Sequence, residues 1–439
     1  MRDRERPPQN LPEPPGPAIP LAELREKTLK ELKALAEQAG VEDYATSDKT
    51  ELSLRILAAE ATQQGTQFVR GILEIMPEGY GFLRVRGFLP SPEDIYVSQS
   101  QIRRFGLRTG DRVAGVIRPP KSSERYSSLL RVEAVNNDPP EVARARKNFD
   151  ELTPCYPTEM FDLETDAKNI SGRFINLIAP IGRGQRALIV SPPKAGKTTL
   201  LKVIGNSIKK NSPETHLLVL LVDERPEEVT DIKRSLPGEV ISSTFDEMPE
   251  HHMRVQKLCL EHAKRLVEQG KHVVILLDSL TRLSRASNLT VTPSGRTLSG
   301  GLDPAALHRP KQLFGAARNV EEGGSLTIVA TCLVDTGSRM DDAIFEEFKA
   351  TGNMELVLDR TLSERRIFPS IDIKRSGTRH EELLLPEKQL RRVWQLRRVL
   401  NALEIAQATE MLLTGLNKTD SNEDFLNWVE KELTTDDRR

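Results

Sequence analysis

The sequence has few cysteines, no long apolar run and almost no net charge. Its 439 residues include three cysteines and no Cys-x-x-Cys pair, so neither a disulfide framework nor a thiolate zinc site is predicted. No apolar run reaches the ~18 residues that a membrane span needs. The N-terminal stretch also lacks the apolar core of a signal peptide. We therefore expect a protein of the reducing cytoplasm without a membrane segment.

The near-neutral charge limits how the chain could contact nucleic acid. The formal net charge is -1, so any such contact must come from a local basic surface rather than from a general positive field. The composition, with 38% hydrophobic and 29% charged residues, is that of a globular protein with a packed core. At ~150 residues per domain, the length suggests about three domains.

The sequence pattern changes four times along the chain. Residues 1–20 are rich in proline and charge and are predicted to form a disordered leader. Leucines at helical spacing in 21–64 predict a small helical subdomain. Five short strand-like runs with Gly and Pro turns in 65–136 predict an OB-type β-barrel. Residues 137–169 are predicted as a linker, and 170–439 as an α/β domain with a helical C-terminal end.

The predicted barrel carries aromatic residues next to a basic segment. Tyr80 and Phe82 alternate, so both rings should lie on one face of a strand, an arrangement that resembles the RNA-binding strand of cold-shock domains. Residues 101–131 hold eight Arg or Lys against two acids, and Tyr96 and Tyr126 could add stacking surfaces. Small basic barrels with aromatic platforms bind single-stranded nucleic acid. The pattern leaves open that the two rings belong to the barrel core.

A phosphate-binding loop is predicted where an apolar strand meets a helix. The strand-like run 187–190 is followed by Ser-Pro-Pro-Lys-Ala-Gly-Lys-Thr, from Ser191 to Thr198, and then by helical spacing. Free N–H groups and the dipole at a helix start favour an anion there. Lys197 would reach the β and γ phosphates, and the Thr198 hydroxyl would hold Mg²⁺. Because Ser191 stands where the motif normally has glycine, a plain helix start with Gly-Lys-Thr stays an alternative.

Two further buried strands are predicted to end in acidic residues. The apolar run 217–222 precedes Glu224, and the run 273–277 precedes Asp278. The carboxyl ends of parallel strands form the ligand-binding edge of an open α/β sheet. Glu224 could polarise water for attack on a γ-phosphate, or it could simply start the next helix. Asp278 fits a Walker B aspartate that holds Mg²⁺, and the three features in this order predict an NTPase.

Longer segments make the chain similar to the Rho family of bacterial transcription termination factors. The similar segments are residues 192–198, 223–229, 277–282, 307–311, 314–328 and 376–379. The similarity extends over roughly residues 65–430, far beyond a short motif. It implies a homohexameric ring of RecA-like ATPase domains that uses ATP and Mg²⁺. It also implies an RNA-dependent ATPase and RNA–DNA helicase that translocates along single-stranded RNA and releases transcripts from RNA polymerase.

The resemblance further implies roles for individual residues. Glu224 would activate water, with Lys197 on the phosphates and Thr198 and Asp278 supporting the metal. Arg366 and Arg379 would act from a neighbouring subunit as arginine fingers, which contribute ~10³–10⁵ in rate in other NTPases. The implied nucleotide contacts are Lys194, Ala195, Gly196, Lys197, Thr198, Thr199, Arg225, Asp278 and Phe368, with Phe368 stacked on adenine. The implied RNA contacts are Tyr80, Phe82, Tyr96, Glu124, Arg125 and Tyr126 on the barrel, and Arg296 and Arg339 in two loops of the central channel.

Two other classes of protein remain alternatives. A rotary-type ATPase subunit would share the α/β core and the ring, but it would lack the aromatic strand of the basic barrel and would not need RNA for turnover. A non-catalytic RNA-binding protein could keep the nucleotide fold for assembly only. Loss of Glu224 or Asp278 would favour that second alternative, and both residues are present.

Overall fold

The fold is described from a computed structural model that covers residues 16–122 and 124–436, with side chains as far as residue 431. The chain divides into two compact units, with the boundary between Arg146 and Lys147. Of the predicted leader 1–20, residues 1–15 lie outside the described part. Within the described residues, no helix is long and apolar enough to cross a membrane.

The first unit combines short helices with a five-stranded sheet. Its described helices are α1 (Leu21–Glu26), α2 (Leu29–Gln38), α3 (Lys49–Gln63), α4 (Gln99–Phe105) and α5 (Pro140–Ala145). Its described strands are β1 (Gln67–Ile75), β2 (Gly81–Arg84), β3 (Ile95–Val97), β4 (Arg112–Arg118) and β5 (Ser128–Val135).

The five strands close into a barrel in the order β1-β2-β3-β5-β4. Neighbouring strands are antiparallel except β3 and β5, which are parallel. The register between β4 and β5 shifts at Gly115, where a Cβ atom would lie 2.0 Å from the Arg131 carbonyl oxygen, so glycine allows the backbones to approach at this irregularity. The OB-type barrel predicted from the sequence is confirmed.

The N-terminal helices pack on the outside of this barrel. The small side chains of Ala114 on β4 and Ala134 on β5 are buried against a cluster that includes Leu32 on α2 and Leu52 on α3. Because alanine leaves room on these strands, the helices can lie close to the sheet. The helical segment and the barrel therefore share a hydrophobic core within one compact unit.

The predicted helical run from Leu21 is interrupted at Thr28. The Thr28 hydroxyl and the Glu31 carboxylate form a capping box, which ends the first stretch and starts α2. Leu29 is one of the leucines whose spacing predicted the helical subdomain, but it is exposed in the first turn after this cap. The spacing alone did not reveal that a new helix begins there.

The second unit alternates strands and helices. Its described helices are α6 (Ile170–Ile178), α7 (Lys197–Asn211), α8 (Pro226–Ser235), α9 (Pro249–Val267), α10 (Leu280–Thr290), α11 (His308–Gly315), α12 (Arg339–Lys349), α13 (Arg360–Glu364), α14 (Glu387–Ala402), α15 (Ile405–Asn417) and α16 (Asn422–Asp436). Its described strands are β6 (Pro154–Cys155), β7 (Arg186–Ser191), β8 (His216–Glu224), β9 (Glu239–Thr244), β10 (His272–Asp278), β11 (Arg318–Val320), β12 (Ser325–Leu333), β13 (Met354–Val357) and β14 (Gly377–Thr378).

The main sheet has the order β14-β13-β7-β12-β10-β8-β9. The strands from β13 to β9 are parallel, β14 is an antiparallel edge, and the short β11 pairs with β12 and β6. Strands β7, β8, β10 and β12 are buried along nearly their whole length, which explains their continuous apolar runs. In β7, β8 and β10 the polar residues therefore lie at the strand ends, where Ser191, Glu224 and Asp278 share one edge.

Residues 137–169, predicted as a linker, carry structure of their own. They contain α5 and β6, and Phe161 and Leu163 are buried in the main core of the second unit. The same core includes Leu416 of α15 and Phe425 of α16, so the two ends of the second unit pack together.

A buried arginine fixes this junction. The Arg173 side chain on α6 is fully buried and donates hydrogen bonds to the Leu416 carbonyl oxygen at 2.9 Å and the Thr419 carbonyl oxygen at 2.7 Å. It also bonds the Thr419 hydroxyl at 2.9 Å, and Glu164 lies 3.6 Å away. Leu416 lies in the last turn of α15 and Thr419 just beyond it, so the guanidinium takes the place of water at the end of that helix.

Replacing Arg173 with Met should destabilise the second unit. The Leu416 and Thr419 carbonyl oxygens would lose a charged donor inside the core, so we expect a loss of about 3 kcal/mol in the free energy of unfolding. Urea unfolding of the full chain and hydrogen exchange in α15 and α16 measure this loss. Arg391→Met on the exposed face of α14 is the matched control, and equal behaviour of the two variants would contradict the structural role of Arg173.

Candidate functional site

The phosphate-binding loop connects β7 to α7 and has the backbone conformation that this function needs. Lys194 and Gly196 have φ angles of 66° and 94°, in the left-handed region, and α7 begins at Lys197. No atom lies within 4 Å of a Cβ built on Gly196, so the backbone angle, rather than lack of space, favours glycine there. The Ser370 hydroxyl donates to the Ala195 carbonyl oxygen at 2.7 Å and anchors the loop.

The serine that replaces the first glycine of the motif is compatible with this geometry. Ser191 is the last residue of β7 and is fully buried. Its hydroxyl donates to the Pro192 carbonyl oxygen at 2.8 Å, so the polar side chain is satisfied within the loop.

Lys197 joins the two predicted acidic residues. Its Nζ lies 3.0 Å from Glu224 Oε1 and 2.6 and 2.7 Å from the two Asp278 oxygens. Glu224 is 3% exposed and Asp278 1% exposed, at the carboxyl ends of β8 and β10. The structure thus brings together the lysine and both carboxylates that the sequence assigned to one site.

Burial and proximity change the acidity of these groups. Burial, with a further contribution from the charge of Asp278, raises the pKa of Glu224 to about 7. Burial alone would lower the pKa of Lys197, but the Asp278 and Glu224 carboxylates outweigh it and raise that pKa above its usual value. Lys197 is therefore charged at neutral pH, whereas Glu224 exchanges a proton near pH 7.

Two further residues hold the carboxylates and were missed in the sequence. The Thr331 hydroxyl on β12 donates to Asp278 Oδ1 at 2.7 Å. Arg282 on α10 donates to the Asp223 carbonyl oxygen at 2.7 Å, and its Nε lies 3.4 Å from Glu224 Oε1. The available signals were a threonine near the carboxyl end of a buried strand and an arginine one turn after Asp278.

The other predicted nucleotide contacts lie on the surface around the loop. Lys194, Thr199 and Arg225 are exposed, and Thr198 is half-buried in the first turn of α7. Phe368 is 50% exposed, and Ser370, two residues later, bonds the loop at Ala195. The predicted adenine platform therefore belongs to a segment that is attached to the phosphate-binding loop.

The two predicted arginine fingers are both exposed but lie in different places. Arg366 has a φ of 62° and precedes Phe368 by two residues. The Arg379 amide donates to the Asn353 carbonyl oxygen at 2.9 Å, next to the start of β13. That is the amino edge of the parallel sheet, opposite the phosphate-binding loop, so the structure does not bring Arg379 to Lys197 of its own chain.

The two predicted channel loops contact each other. Arg296 and Arg339 are exposed, and a Cβ on Gly300 would lie 2.2 Å from the Met340 amide nitrogen. Behind Arg339, the buried Asp341 carboxylate accepts a hydrogen bond from the Thr336 hydroxyl at 2.6 Å. Arg339, predicted in a loop, is the first residue of α12, and this hydrogen bond fixes the preceding loop to the helix.

On the barrel, four aromatic rings form one cluster. The Tyr80 and Phe82 centroids are 5.8 Å apart, and Tyr96 lies 5.7 Å from Tyr80. Tyr126 lies 5.0 Å from Phe82, and all four side chains are half-buried rather than part of the barrel core. The guanidinium of Arg125 lies 5.4 Å from the Tyr126 centroid. The rings thus form a surface with accessible faces.

A buried ion-pair network supports this surface from below. Arg84 lies 5.3 Å from the Phe82 centroid, is 2.6 Å from a Glu74 oxygen and forms a short ion pair with Asp94. The Arg84 side chain is buried, so it holds the ring in place. Its role was not apparent in the sequence.

Glu124 lowers the positive charge at the edge of the aromatic surface. Its Oε1 accepts a hydrogen bond from Arg118 at 2.8 Å, and this contact lowers the pKa of Glu124 to about 2. Glu124 is exposed and remains ionised at neutral pH. Glu124, one of the predicted RNA contacts, therefore accepts hydrogen bonds, whereas the arginines near it donate them.

Together these features define a P-loop ATPase of the RecA-like class joined to an OB-type barrel with an aromatic surface. Family models place a Rho termination factor N-terminal domain at residues 23–65 and a Rho termination factor RNA-binding domain at 69–141. The nucleotide-binding domain of the ATP synthase alpha/beta family matches residues 172–378.

Curated relatives cover nearly the whole chain. The transcription termination factor Rho of Bacillus subtilis is 57% identical, over 94% of this chain and 97% of its own length. Those of Thermotoga maritima and Pseudomonas aeruginosa are 54% and 51% identical, over 94% of this chain and 97% and 99% of theirs. The chain belongs to the Rho family of transcription termination factors.

Solved structures of other ATPases share the fold. An ATPase of the type III secretion system of pathogenic bacteria matches with a TM-score of 0.54 and 24% identity, over 64% of this chain and 87% of that one. The assembled type III secretion ATPase of enteropathogenic E. coli matches with a TM-score of 0.54 and 19% identity, over 83% of this chain and 94% of that one. At these identities the likeness concerns the fold alone.

The raised pKa of Glu224 predicts a pH-dependent stability. A carboxyl with a pKa of about 7 in the fold and 4.5 when unfolded stabilises the fold fully below pH 4.5 and loses that contribution as the pH rises through 7. Glu224→Gln does not titrate, so its melting temperature relative to the unchanged chain should rise between pH 5 and 8. Thermal unfolding without nucleotide measures this difference.

The control for this experiment is Glu227→Gln, an exposed residue in the first turn of α8. The pH-dependent rise in relative melting temperature should be larger for Glu224→Gln than for this control. A flat difference for Glu224→Gln would contradict the raised pKa.

Proposed function

We propose that the chain is an RNA-dependent ATPase that translocates along nascent single-stranded RNA as a homohexameric ring. In this proposal it terminates transcription by releasing the RNA from RNA polymerase. The observation that carries the proposal is the Lys197–Glu224–Asp278 site in the same chain as an aromatic barrel surface. Membership of the Rho family supports this reading over a non-catalytic RNA-binding protein.

In hydrolysis, Glu224 orients the attacking water and accepts its proton. Burial raises the pKa of Glu224, which makes its carboxylate a stronger base than that of an exposed glutamate. When nucleotide binds, the Lys197 ammonium can leave Glu224 and Asp278 and donate to phosphate oxygens instead. These oxygens are also negatively charged acceptors, so the new hydrogen bonds are charge-assisted as well. This exchange frees Glu224 when nucleotide binds, so the base becomes available only in a loaded site.

The residues beside Lys197 suit Mg²⁺. Asp278 and the Thr198 hydroxyl offer the hard oxygen ligands that Mg²⁺ prefers, and the hydrogen bond from Thr331 fixes one Asp278 oxygen. Mg²⁺ held by Asp278 and Thr198 would supply positive charge that neutralises the negative charge of the phosphate groups.

A ring is supported by the position of Arg379. Because Arg379 lies at the amino edge of its own sheet, opposite the phosphate-binding loop, it can reach a γ-phosphate only in another subunit. Arg366 is exposed and can likewise extend outward. ATP would then lie between subunits, and hydrolysis would depend on assembly.

RNA would contact the chain twice. The aromatic surface of the barrel stacks on unpaired bases and gives the first, affinity-determining contact. Arg296 and Arg339, on loops that touch each other, contact the phosphate backbone inside the ring. Movement of these paired loops during hydrolysis would advance the strand.

The proposal predicts that RNA stimulates ATP hydrolysis and that Glu224→Gln abolishes most of it. Loss of a general base typically costs ~10²–10⁴ in rate. The measurement is phosphate release by the full chain with and without a pyrimidine-rich RNA, with Glu227→Gln as the control. Equally fast hydrolysis without RNA would contradict the coupling and favour the rotary-type alternative.

A second prediction concerns the barrel. Tyr80→Leu keeps apolar volume but removes an aromatic face. Stacking on such a face contributes ~1–3 kcal/mol per base. We therefore expect the Kd for a short pyrimidine RNA oligonucleotide to rise about ten- to a hundredfold. Fluorescence anisotropy without ATP measures this change. The control is Tyr44→Leu, since Tyr44 is equally half-buried but packs on the N-terminal helices.

Unchanged binding by Tyr80→Leu would remove the aromatic cluster from the RNA site. A loss of the same size in Tyr44→Leu would show that the barrel substitution acts through stability rather than through stacking.

A further inference from the structure

Strand β8 contains an extra residue just before Glu224. In the parallel pairing of β8 with β9, Val222 lies opposite Ser243 and Glu224 lies opposite Thr244, so Asp223 has no partner of its own. Two residues of one strand against one step of the other form a β-bulge. Asp223 has a φ of 57°, in the left-handed region that side chains other than those of asparagine and aspartate rarely enter. The regular strand is thus interrupted at the residue that precedes Glu224.

One face of β8 packs against α7. The odd-numbered residues of β8 from Leu217 to Leu221 belong to the hydrophobic cluster that includes Ile204 of α7. Side chains alternate between the two faces of a strand, so the even-numbered residues, up to Val222, point to the opposite face. The two sides of the strand are called the α7 face and the α9 face below.

The opposite face is covered by α9. Ser243, the partner of Val222 on β9, points to the same side as Val222. Its hydroxyl shares a hydrogen bond of 2.7 Å with Nδ1 of His252 on α9. Glu224 lies two residues after Val222, so in a regular strand its side chain would also point to the α9 face.

The bulge places Glu224 on the α7 face instead. Its partner Thr244 lies four residues after Val240, so both point to the same side, and Val240 packs against the cluster that contains Ile204. Lys197 begins α7 and lies 3.0 Å from Glu224 Oε1. The extra residue in β8 therefore decides whether the carboxylate can reach this lysine.

Asp278 reaches the same face without a bulge. Leu276 of β10 belongs to the cluster that packs on α7, and Asp278 lies two residues further along the strand. The register also pairs Asp278 with Leu221, which points to the α7 face of β8. The two carboxylates can meet at Lys197 only because the alternation changes in one of the two strands.

Contacts on both sides of Asp223 hold the bulge. Arg282 donates to the Asp223 carbonyl oxygen at 2.7 Å and to its carboxylate at 3.1 Å. Beyond the bulge, the Phe245 amide donates to the Glu224 carbonyl oxygen at 3.2 Å, so the pairing with β9 continues. The altered direction of Glu224 is thus fixed before and after the extra residue.

We propose that Asp223 is a positioning residue for ATP hydrolysis. Its left-handed backbone inserts one residue into β8 and thereby turns Glu224 from the α9 face to the α7 face, where Lys197 lies. This role belongs to the backbone conformation of Asp223 rather than to its charge. The proposal rests on the proposed role of Glu224 in hydrolysis.

The test compares substitutions that differ in their access to the left-handed region. Glycine and asparagine enter this region, whereas the β-branched side chain of valine strongly disfavours it. In RNA-stimulated phosphate release by the full chain, Asp223→Val should lower kcat about a hundredfold, towards the level of Glu224→Gln. Asp223→Gly and Asp223→Asn both lack the charge, and each should keep a kcat at least about tenfold above that of Asp223→Val.

Two further readouts separate positioning from a general loss of structure. The phosphate-binding loop does not include the bulge, so the Kd for ADP, measured by equilibrium dialysis, should rise less than about threefold in Asp223→Val. Adding Glu224→Gln to Asp223→Val should lower kcat by a further factor of less than about three, because the carboxylate has already left the α7 face.

The matched control is Asp43, an exposed aspartate of the first unit with a φ of 45°. Asp43→Val introduces the same backbone conflict away from β8, so it should lower the melting temperature without lowering kcat. If thermal unfolding shows that Asp223→Val does not fold, Asp223→Ala, which disfavours the left-handed region less, should still have a lower kcat than Asp223→Gly.

Two results would overturn this proposal alone. A kcat of Asp223→Val as high as that of Asp223→Gly would show that the backbone conformation is not needed. Equal losses in the valine, glycine and asparagine variants would assign the role to the Asp223 carboxylate and its contact with Arg282. An unchanged kcat in Glu224→Gln would instead contradict the role of Glu224 itself, and the positioning role would fall with it.

Discussion

The ATPase unit depends on one lysine that lies between two buried carboxylates. Glu224 and Asp278 are almost completely inaccessible, and two such charges side by side would repel each other strongly in a medium of low polarity. Lys197 compensates them at 2.6 to 3.0 Å. Thr331 and Arg282 lie against Asp278 Oδ1 and Glu224 Oε1, which Lys197 also contacts. The parallel sheet makes this arrangement possible, because the apolar strands leave their ends as the place for polar groups.

Most of the fold could be predicted from the sequence, because the pattern of apolar residues depends directly on which residues are buried. Continuous apolar runs marked β8 and β10 as strands covered on both faces, and the acidic residues after them had to lie at the same edge. The short alternating runs before residue 136 likewise marked the barrel strands. These inferences held because the periodicity of a strand depends on its environment alone.

Other parts of the site depend on contacts between residues far apart in sequence. Thr331 reaches Asp278 because β12 lies between β7 and β10, and no local pattern gives that strand order. Arg84 supports Phe82 through Glu74 and Asp94, which only the closed barrel brings together. Phe161 lies in a segment that was predicted as a linker, and its place in the core also could not be predicted, because it depends on contacts with residues far along the chain.

The junction at Arg173 has a consequence for synthesis of the chain. The core of the second unit joins Phe161 and Leu163 to Leu416 and Phe425, so it cannot be completed until residues beyond 425 have left the ribosome. At ~5–20 residues per second, the ribosome needs tens of seconds for the second unit, during which its apolar strands lack part of their cover. The first unit, complete at residue 146, can fold during that interval, whereas the unfinished sheet is the part of the nascent chain that chaperones would need to protect.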